Sequence, residues 1–343
     1  CKPRRSAAPR RTPRCKGCSV DMSEPTQDPG LEREQEESLA RIEAGHIPLS
    51  AERRLDELRE RGGGTFTSDL SINGFALCRQ LGLTPLSQVM GSSIYQMGYQ
   101  EAWGQPGGWG PLGVGGTFMI ELDTLSQALN EVRTRALNRL AEEALRIDAD
   151  AVVGVETRAG ESELGSGAGG GQLALEHMVL GTAVRRADSR RELPVLTELS
   201  VADYALLLRA GIEPAGVVAW SAVFFAGYSF GAGGGLMSMG AGAATQNFEL
   251  SDFTQAFYSA RESVMTQITR QADSLGAAGV VGVRIGHTAR PHTLRGGVGG
   301  AIGGFGGREI QGLMVTFNAI GTAIHQHAHA SVQAPEPVLD LFA

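Results

Sequence analysis

The chain contains the same long segment twice. Asp69 to Tyr99 reads DLSINGFALCRQLGLTPLSQVMGSSIYQMGY, and Glu198 to Tyr228 reads ELSVADYALLLRAGIEPAGVVAWSAVFFAGY. The two align without a gap at an offset of 129 residues, with Leu70/Leu199, Ser71/Ser200, Gly82/Gly211, Pro85/Pro214 and Tyr99/Tyr228 identical. The match resumes downstream, where ALRIDADAVVGVE (144–156) answers ADSLGAAGVVGVR (272–284). Both copies close on Gly-Thr-Ala and a β-branched residue, at Gly181 to Val184 and Gly321 to Ile324. A repeat of this length is a duplicated domain, not a solenoid unit. Every reading of a residue in one copy is therefore tested by its counterpart in the other.

Length fits that reading: 343 residues hold two copies, each large enough to bury a core, plus terminal segments. Composition and spacing predict a basic leader and linker over 1–30, a helical hairpin over 31–64, domains over 65–190 and 194–328, and a disordered tail over 329–343. The 48 glycines cluster without period, which excludes collagen and points to long loops.

The formal charge of −7 is uneven. Residues 1–21 carry +6, the remainder carries −13, and no lysine follows Met22. Residues 1–21 read as an upstream extension or expression remnant, or else as a basic arm for an anionic partner. Without them the chain is acidic, which argues against nucleic acid as a partner. Cys1, Cys15 and Cys18 lie in that leader, leaving Cys78 alone in the folded part. The expectation is a reducing, cytoplasmic setting with no intrachain bridge. The single CxxC, Cys15 to Cys18, has no second half to complete a zinc site.

Residues 214–248 are free of charge and Val217 to Phe230 is strongly apolar. That stretch raises the alternative of a membrane-associated oligomeric scaffold. The matching positions in the first copy, including Gln88, Ser92, Ser93 and Gln96, are polar, so a buried strand is the favoured reading.

Helices are expected over 31–44 and over 51–61, with Ser50 as cap of the second. They read as a hairpin docked beside the first copy, an exchange element between subunits or, the favoured reading, a solvated pair. Each copy then shows a short helix capped by Asp69 or Ser71 (Glu198 or Ser200), a strand, a Gly-rich connection and a long helix of period near 3.6. Two further strands follow, over 151–157 and 173–185, or 279–285 and 310–326. The fold class expected is α+β: two tandem two-layer β-α-β-β domains preceded by a short helical hairpin.

The pieces ALRIDADAVVGVE…HMVLGTAVR and ADSLGAAGVVGVR…TFNAIGTAIH resemble the YbjQ family, across roughly 85–186 and 214–326. The resemblance implies dodecin-subunit-like domains, heavy-metal binding and ring assembly from single-domain subunits. A two-domain chain could satisfy that closure as five chains forming two stacked rings. Two departures stand out: Asp148 replaces the usual glycine, and Ala278-Gly279 replace Asp-Ala.

Chemistry-bearing residues are sparse. His325, His327 and His329 alternate, so a continuing strand would place all three on one face for a divalent or soft transition metal. The first copy has Arg185-Arg186 there, and a solvated tail is the favoured alternative. Met237 and Met239 offer thioethers, read as loop packing. His177 pairs with Phe317 and reads as strand packing. Arg133 and Arg261 recur on the long helix and read as intersubunit or surface ion pairs. There is no GxSxG, no HExxH and no P-loop. The expected function is a non-enzymatic, self-assembling protein that binds a heavy metal or small ligand.

Overall fold

A computed structural model describes residues 29–61, 66–97, 117–164, 172–187, 191–228, 249–295 and 309–326. Among them are six helices and two four-stranded sheets, a mixed α+β architecture.

Helices α1 (Pro29–Glu43) and α2 (Leu49–Glu60) form the N-terminal hairpin. Pro48, not Ser50, occupies the N-cap of α2, and no side chain caps it. Proline supplies the extended backbone needed just before a helix and has no N–H to satisfy. The hairpin is docked, not solvated. Ile47 and Leu55 are fully buried with the first core, and Arg146 grips Asp56 through two bonds of 2.8 Å. Arg139 also reaches back to the Ile42 and His46 carbonyls. The charges that made the hairpin look solvated are its attachment.

The first repeat continues with α3 (Ile72–Gln80), β1 (Leu83–Met97), β2 (Thr117–Glu121), α4 (Asp123–Arg146), β3 (Ala151–Leu164) and β4 (Gln172–Arg186). After β5 (Val195–Leu196) the second supplies α5 (Val201–Arg209), β6 (Ile212–Tyr228), α6 (Ser251–Ser274), β7 (Gly279–Arg295) and β8 (Glu309–Gln326). Ser71 and Ser200 cap α3 and α5, accepting from the Gly74 and Asp203 amides. Gly82 and Gly211 end those helices at φ +68°, a conformation glycine adopts without strain.

The strand orders are β1-β4-β3-β5 and β2-β6-β8-β7. All neighbours are antiparallel except β3 and β5. Register shifts fall at matching places, Pro85/Ser87 with Pro214/Gly216 and Val153/Glu156 with Val281/Arg284. The strands expected over 151–157 and 279–285 run on past these bulges to Leu164 and Arg295, because polar residues suit an exposed strand as well as a loop.

Each long helix packs on a sheet. Ala136, Leu140 and Ala144 of α4 meet Val89, Val152 and Val179, while Ala260, Val264 and Ile268 of α6 meet Val218, Ala222 and Val315. At Gly91 the approach is so close that a Cβ would lie 1.9 Å from the Ala136 carbonyl oxygen. The two-layer expectation is exceeded at α4, which packs on both sheets. Its N-terminal half (Leu125, Leu129, Val132) also meets Val223, Phe225 and Met314. Strand β6 is thereby buried on both faces from Ser221 to Gly227. This accounts for the apolar run, since a strand covered on both sides needs no alternation. Among the described residues no helix is long and apolar enough to cross a membrane.

Candidate functional site at the seam between the repeats

The two repeats exchange strands. Strand β2, which precedes α4, pairs with β6 of the second sheet, from Thr117 opposite Tyr228 to Glu121 opposite Phe224. Strand β5, which precedes α5, pairs with β3 of the first, Ala151 opposite Val195 and Val152 opposite Leu196. The β5 ladder is extended by Thr197 N–H to the Val152 carbonyl (2.9 Å) and Gly154 N–H to the Leu199 carbonyl (2.9 Å).

Where β2 ends, α4 takes over the edge of β6 with side chains. The Leu122 amide donates to the Val223 carbonyl, and Ser126 Oγ accepts from the Val223 amide at 2.9 Å. Asn130 forms a two-way pair with Ser221, its Oδ1 accepting from the amide and its Nδ2 donating to the carbonyl, both at 2.8 Å. These bonds satisfy backbone groups that burial would otherwise leave unpaired.

Arg133 completes the cluster. Its guanidinium is buried and donates to Asn130 Oδ1 (2.8 Å) and to the Ser221 hydroxyl. Both acceptors are neutral, and burial lowers its pKa to about 10, so it stays cationic near neutrality. The expected ion pair is not what holds it. Its counterpart Arg261 does form one, with Glu262 on the surface at 2.6 Å. His177 is buried nearby, its Nε2 without a hydrogen-bond partner among the described residues. Desolvation first, then the Arg133 charge, lower its pKa to about 4, keeping it neutral. A neutral imidazole with no exposed partner fits the packing role expected for it.

On the far side of the seam, α5 lays Val201 and Tyr204 against Cys78, Leu83, Ala151, Val153 and Val184. Glu198 accepts from Arg284 at 2.9 Å, and Thr197 shares a 3.0 Å bond with Thr322. Burial raises the Glu198 pKa, opposed by Arg284. A cavity of about 290 Å³ lies here, bordered by Leu83, Arg186, Leu208, Arg209 and Glu213.

The repeated closing motif now has a physical reason. A Cβ at Gly181 or Gly321 would lie 2.6 Å from Val152 Cγ1 or 2.8 Å from Val280 Cγ1, so only glycine fits beside the bulged strand. Thr182 donates to Asp69 and Thr322 pairs with Thr197, while Ala183 and Ala323 are fully buried.

Of the three histidines read as metal candidates, only His325 lies among the described residues. His325 Nδ1 lies 3.1 Å from the Gly276 carbonyl, beyond the end of α6. His327, His329, Met237, Met239 and the leader cysteines lie outside the described residues. Among the described residues no three His, Cys, Asp or Glu converge. Cys78 is buried and burial raises its pKa, which makes it a poor thiolate donor. His287 packs edge-on against Phe257 at 5.5 Å.

The repeated pair that sequence reading missed is Glu143 and Gln271. Glu143 accepts from the Met90 amide at 2.9 Å; Gln271 accepts from the Ala219 amide at 3.0 Å and donates to the Ala219 carbonyl. Both cap the same edge position of β1 or β6. The signal was available: a polar residue at matching places on the apolar stripe of both long helices.

Comparison with known proteins adds a lineage to this geometry. The YbjQ family model, described as "putative heavy-metal-binding", matches residues 114–187. The encapsulin nanocompartment protein Rv1762c of Mycobacterium tuberculosis is 35% identical over 225 residues, 64% of this chain and 77% of that protein. The chain belongs to the family of Rv1762c. No solved structure matches. The YbjQ match spans β2, α4, β3 and β4, which carry part of the first helix–sheet core and one half of the seam. In this member of the Rv1762c family the seam is a packing surface built from buried apolar side chains and the Asn130–Arg133–Ser221 cluster.

Proposed function

We propose that this chain is a non-enzymatic, self-assembling protein made of two tandem YbjQ-like units, serving as a structural component of an encapsulin-type nanocompartment. The name of the Rv1762c relative supports the setting. The observation that carries the reading is the seam, whose strand exchange and buried polar cluster join unlike surfaces of two similar units. Such surfaces are the raw material of rings.

The proposed form is a ring-like homo-oligomer in the cytoplasm. Five chains as two stacked rings is one closure that the YbjQ resemblance offers. The seam favours whole chains joined end to end instead. Binding of a divalent or soft metal, or of a small ligand, is the second element, supported by the YbjQ match alone. A membrane scaffold has less support, because β6 holds its apolar side chains between α4 and α6.

Light scattering and native mass measurement of the full chain test the assembly. A defined multiple of the 36.1 kDa chain is expected, and a strictly monomeric protein overturns the reading. Elemental analysis of the same sample, with and without residues 327–343, decides the metal element.

A further inference from the structure

Residues of one repeat that the seam buries have counterparts in the other repeat that lie open, and they do so at both ends of the chain. On α5, Val201 and Tyr204 are 4% and 2% exposed; their counterparts on α3, Ile72 and Phe75, are 89% and 36% exposed. The surface that receives α5 shows the same contrast. Leu83, Val153 and Val184 are buried, whereas Ile212, Val281 and Ile324 at matching places of the second sheet remain partly open.

The strand edges follow suit. Strand β3 is covered by β5, but among the described residues its counterpart β7 ends its sheet. The counterpart of β5 and the residues after it is 66–70, just before α3. That segment is already set in place: the Thr67 carbonyl accepts from the Gln88 amide at 2.6 Å, and Phe66 stacks on Phe75 at 5.6 Å.

The opposite face of the seam repeats the pattern independently. Asn130 and Arg133 of α4 are buried against Ser221 of β6, and Ser126 of the same helix takes the Val223 amide. Their counterparts on α6, Tyr258 and Arg261, are exposed, and so are the counterparts of the strand residues on β1, Ser92 and Ile94.

We infer that copies of this chain join head to tail through the surfaces that already join its own two repeats, an inference that rests on the self-assembly proposed above. The first repeat of one chain docks on the second repeat of another. Residues 66–70 add to the edge of β7 that no described strand pairs, and Ile72 and Phe75 cover Ile212, Val281 and Ile324. In the same movement Ser92 and Ile94 of the incoming chain meet Tyr258 and Arg261 of the receiving one. The occupant is a second copy because the surfaces it needs are the ones this chain displays in matched pairs. A two-fold dimer would use one self-complementary patch, whereas these are unlike surfaces at opposite ends. Repetition of the contact gives a ring of whole chains or an open filament. A closed ring then contains an even number of repeats.

Paired cysteines test the contact in the full chain, with Cys1, Cys15 and Cys18 changed to Ser. Ser92→Cys chains mixed with Tyr258→Cys chains are expected to be joined as dimers by a short bis-maleimide, while either variant alone is not. Ile72→Arg alters a side chain already in water, so circular dichroism is expected to stay unchanged while the assembly mass falls to that of a single chain. A wild-type protein that is monomeric sinks both the self-assembly reading and this one. A wild-type assembly that survives Ile72→Arg at full mass, with no cross-link in the mixed sample, overturns the head-to-tail contact alone.

Discussion

Arg133 of the first repeat donates to the hydroxyl of Ser221 in the second, across a seam where no carboxylate among the described residues completes the pair. A buried cation held by neutral acceptors carries a desolvation cost that its hydrogen bonds only partly offset. Arg133→Met keeps the volume and removes the charge, so unfolding stability is expected within about 1 kcal/mol of wild type or higher. Arg133→Ala leaves a cavity beside Asn130 and is expected to cost about 2–4 kcal/mol. Urea denaturation of the two variants side by side separates the contributions.

His177 makes stability depend on pH. In the unfolded chain a histidine takes up its proton near 6.5, whereas in the folded protein His177 does so only near 4. Between those values the unfolded state binds more protons, so stability is complete above about 6.5 and declines as pH falls toward 4. The expected loss approaches about 3 kcal/mol. Replacing His177 with Phe, the residue its counterpart Phe317 already is, should flatten that part of the profile. An unchanged slope in His177→Phe would rule out this group as its source.

Asp148 sits at φ 56°, where its counterpart Gly276 has φ 64°. The departure from the YbjQ pattern therefore occurs at a left-handed position that glycine holds without strain. Asp148→Gly is expected to gain about 1 kcal/mol from backbone relief. Loss of the exposed pairs to Arg59 and Arg185 subtracts a few tenths to about 1 kcal/mol. Asp148→Val has no such relief and should lower the thermal midpoint.

Gly91→Ala forces a methyl group into the Ala136 carbonyl, backbone against backbone. Separation of α4 from β1 is expected, with a loss of about 3 kcal/mol or more. Since α4 also supports β6, both sheets should show the change in amide exchange, not only the first.

Most helices and strands were legible because their signals are local. Ser71 and Ser200 cap where a short polar side chain precedes an apolar run, and the period of α4 and α6 follows from one buried stripe. The seam was not legible. Asn130 and Arg133 on a helix look like solvent-facing residues until β6 is brought against them, and nothing local announces a partner 91 residues away. The hairpin failed for a related reason. Arg54, Asp56 and Arg146 carry the composition of a solvated surface while serving as a clamp. Ser50 misled because Pro48 had already set the backbone for the helix start.

The burial of β6 on both faces has a consequence for biosynthesis. Its second cover, α4, precedes it in the chain, so when β6 leaves the ribosome the apolar surface that receives it has already been made. Strand β3 has the reverse schedule, exposing its edge until β5 and α5 arrive some forty residues later. Translated alone, residues 191–326 would present Val223 and Phe225 without the α4 side chains Leu125, Leu129 and Val132 that cluster with them. Such a fragment is expected to precipitate unless residues 66–187 are supplied in trans. The order of the repeats along the messenger then decides how long the apolar face of β6 waits for its cover while the chain is being made.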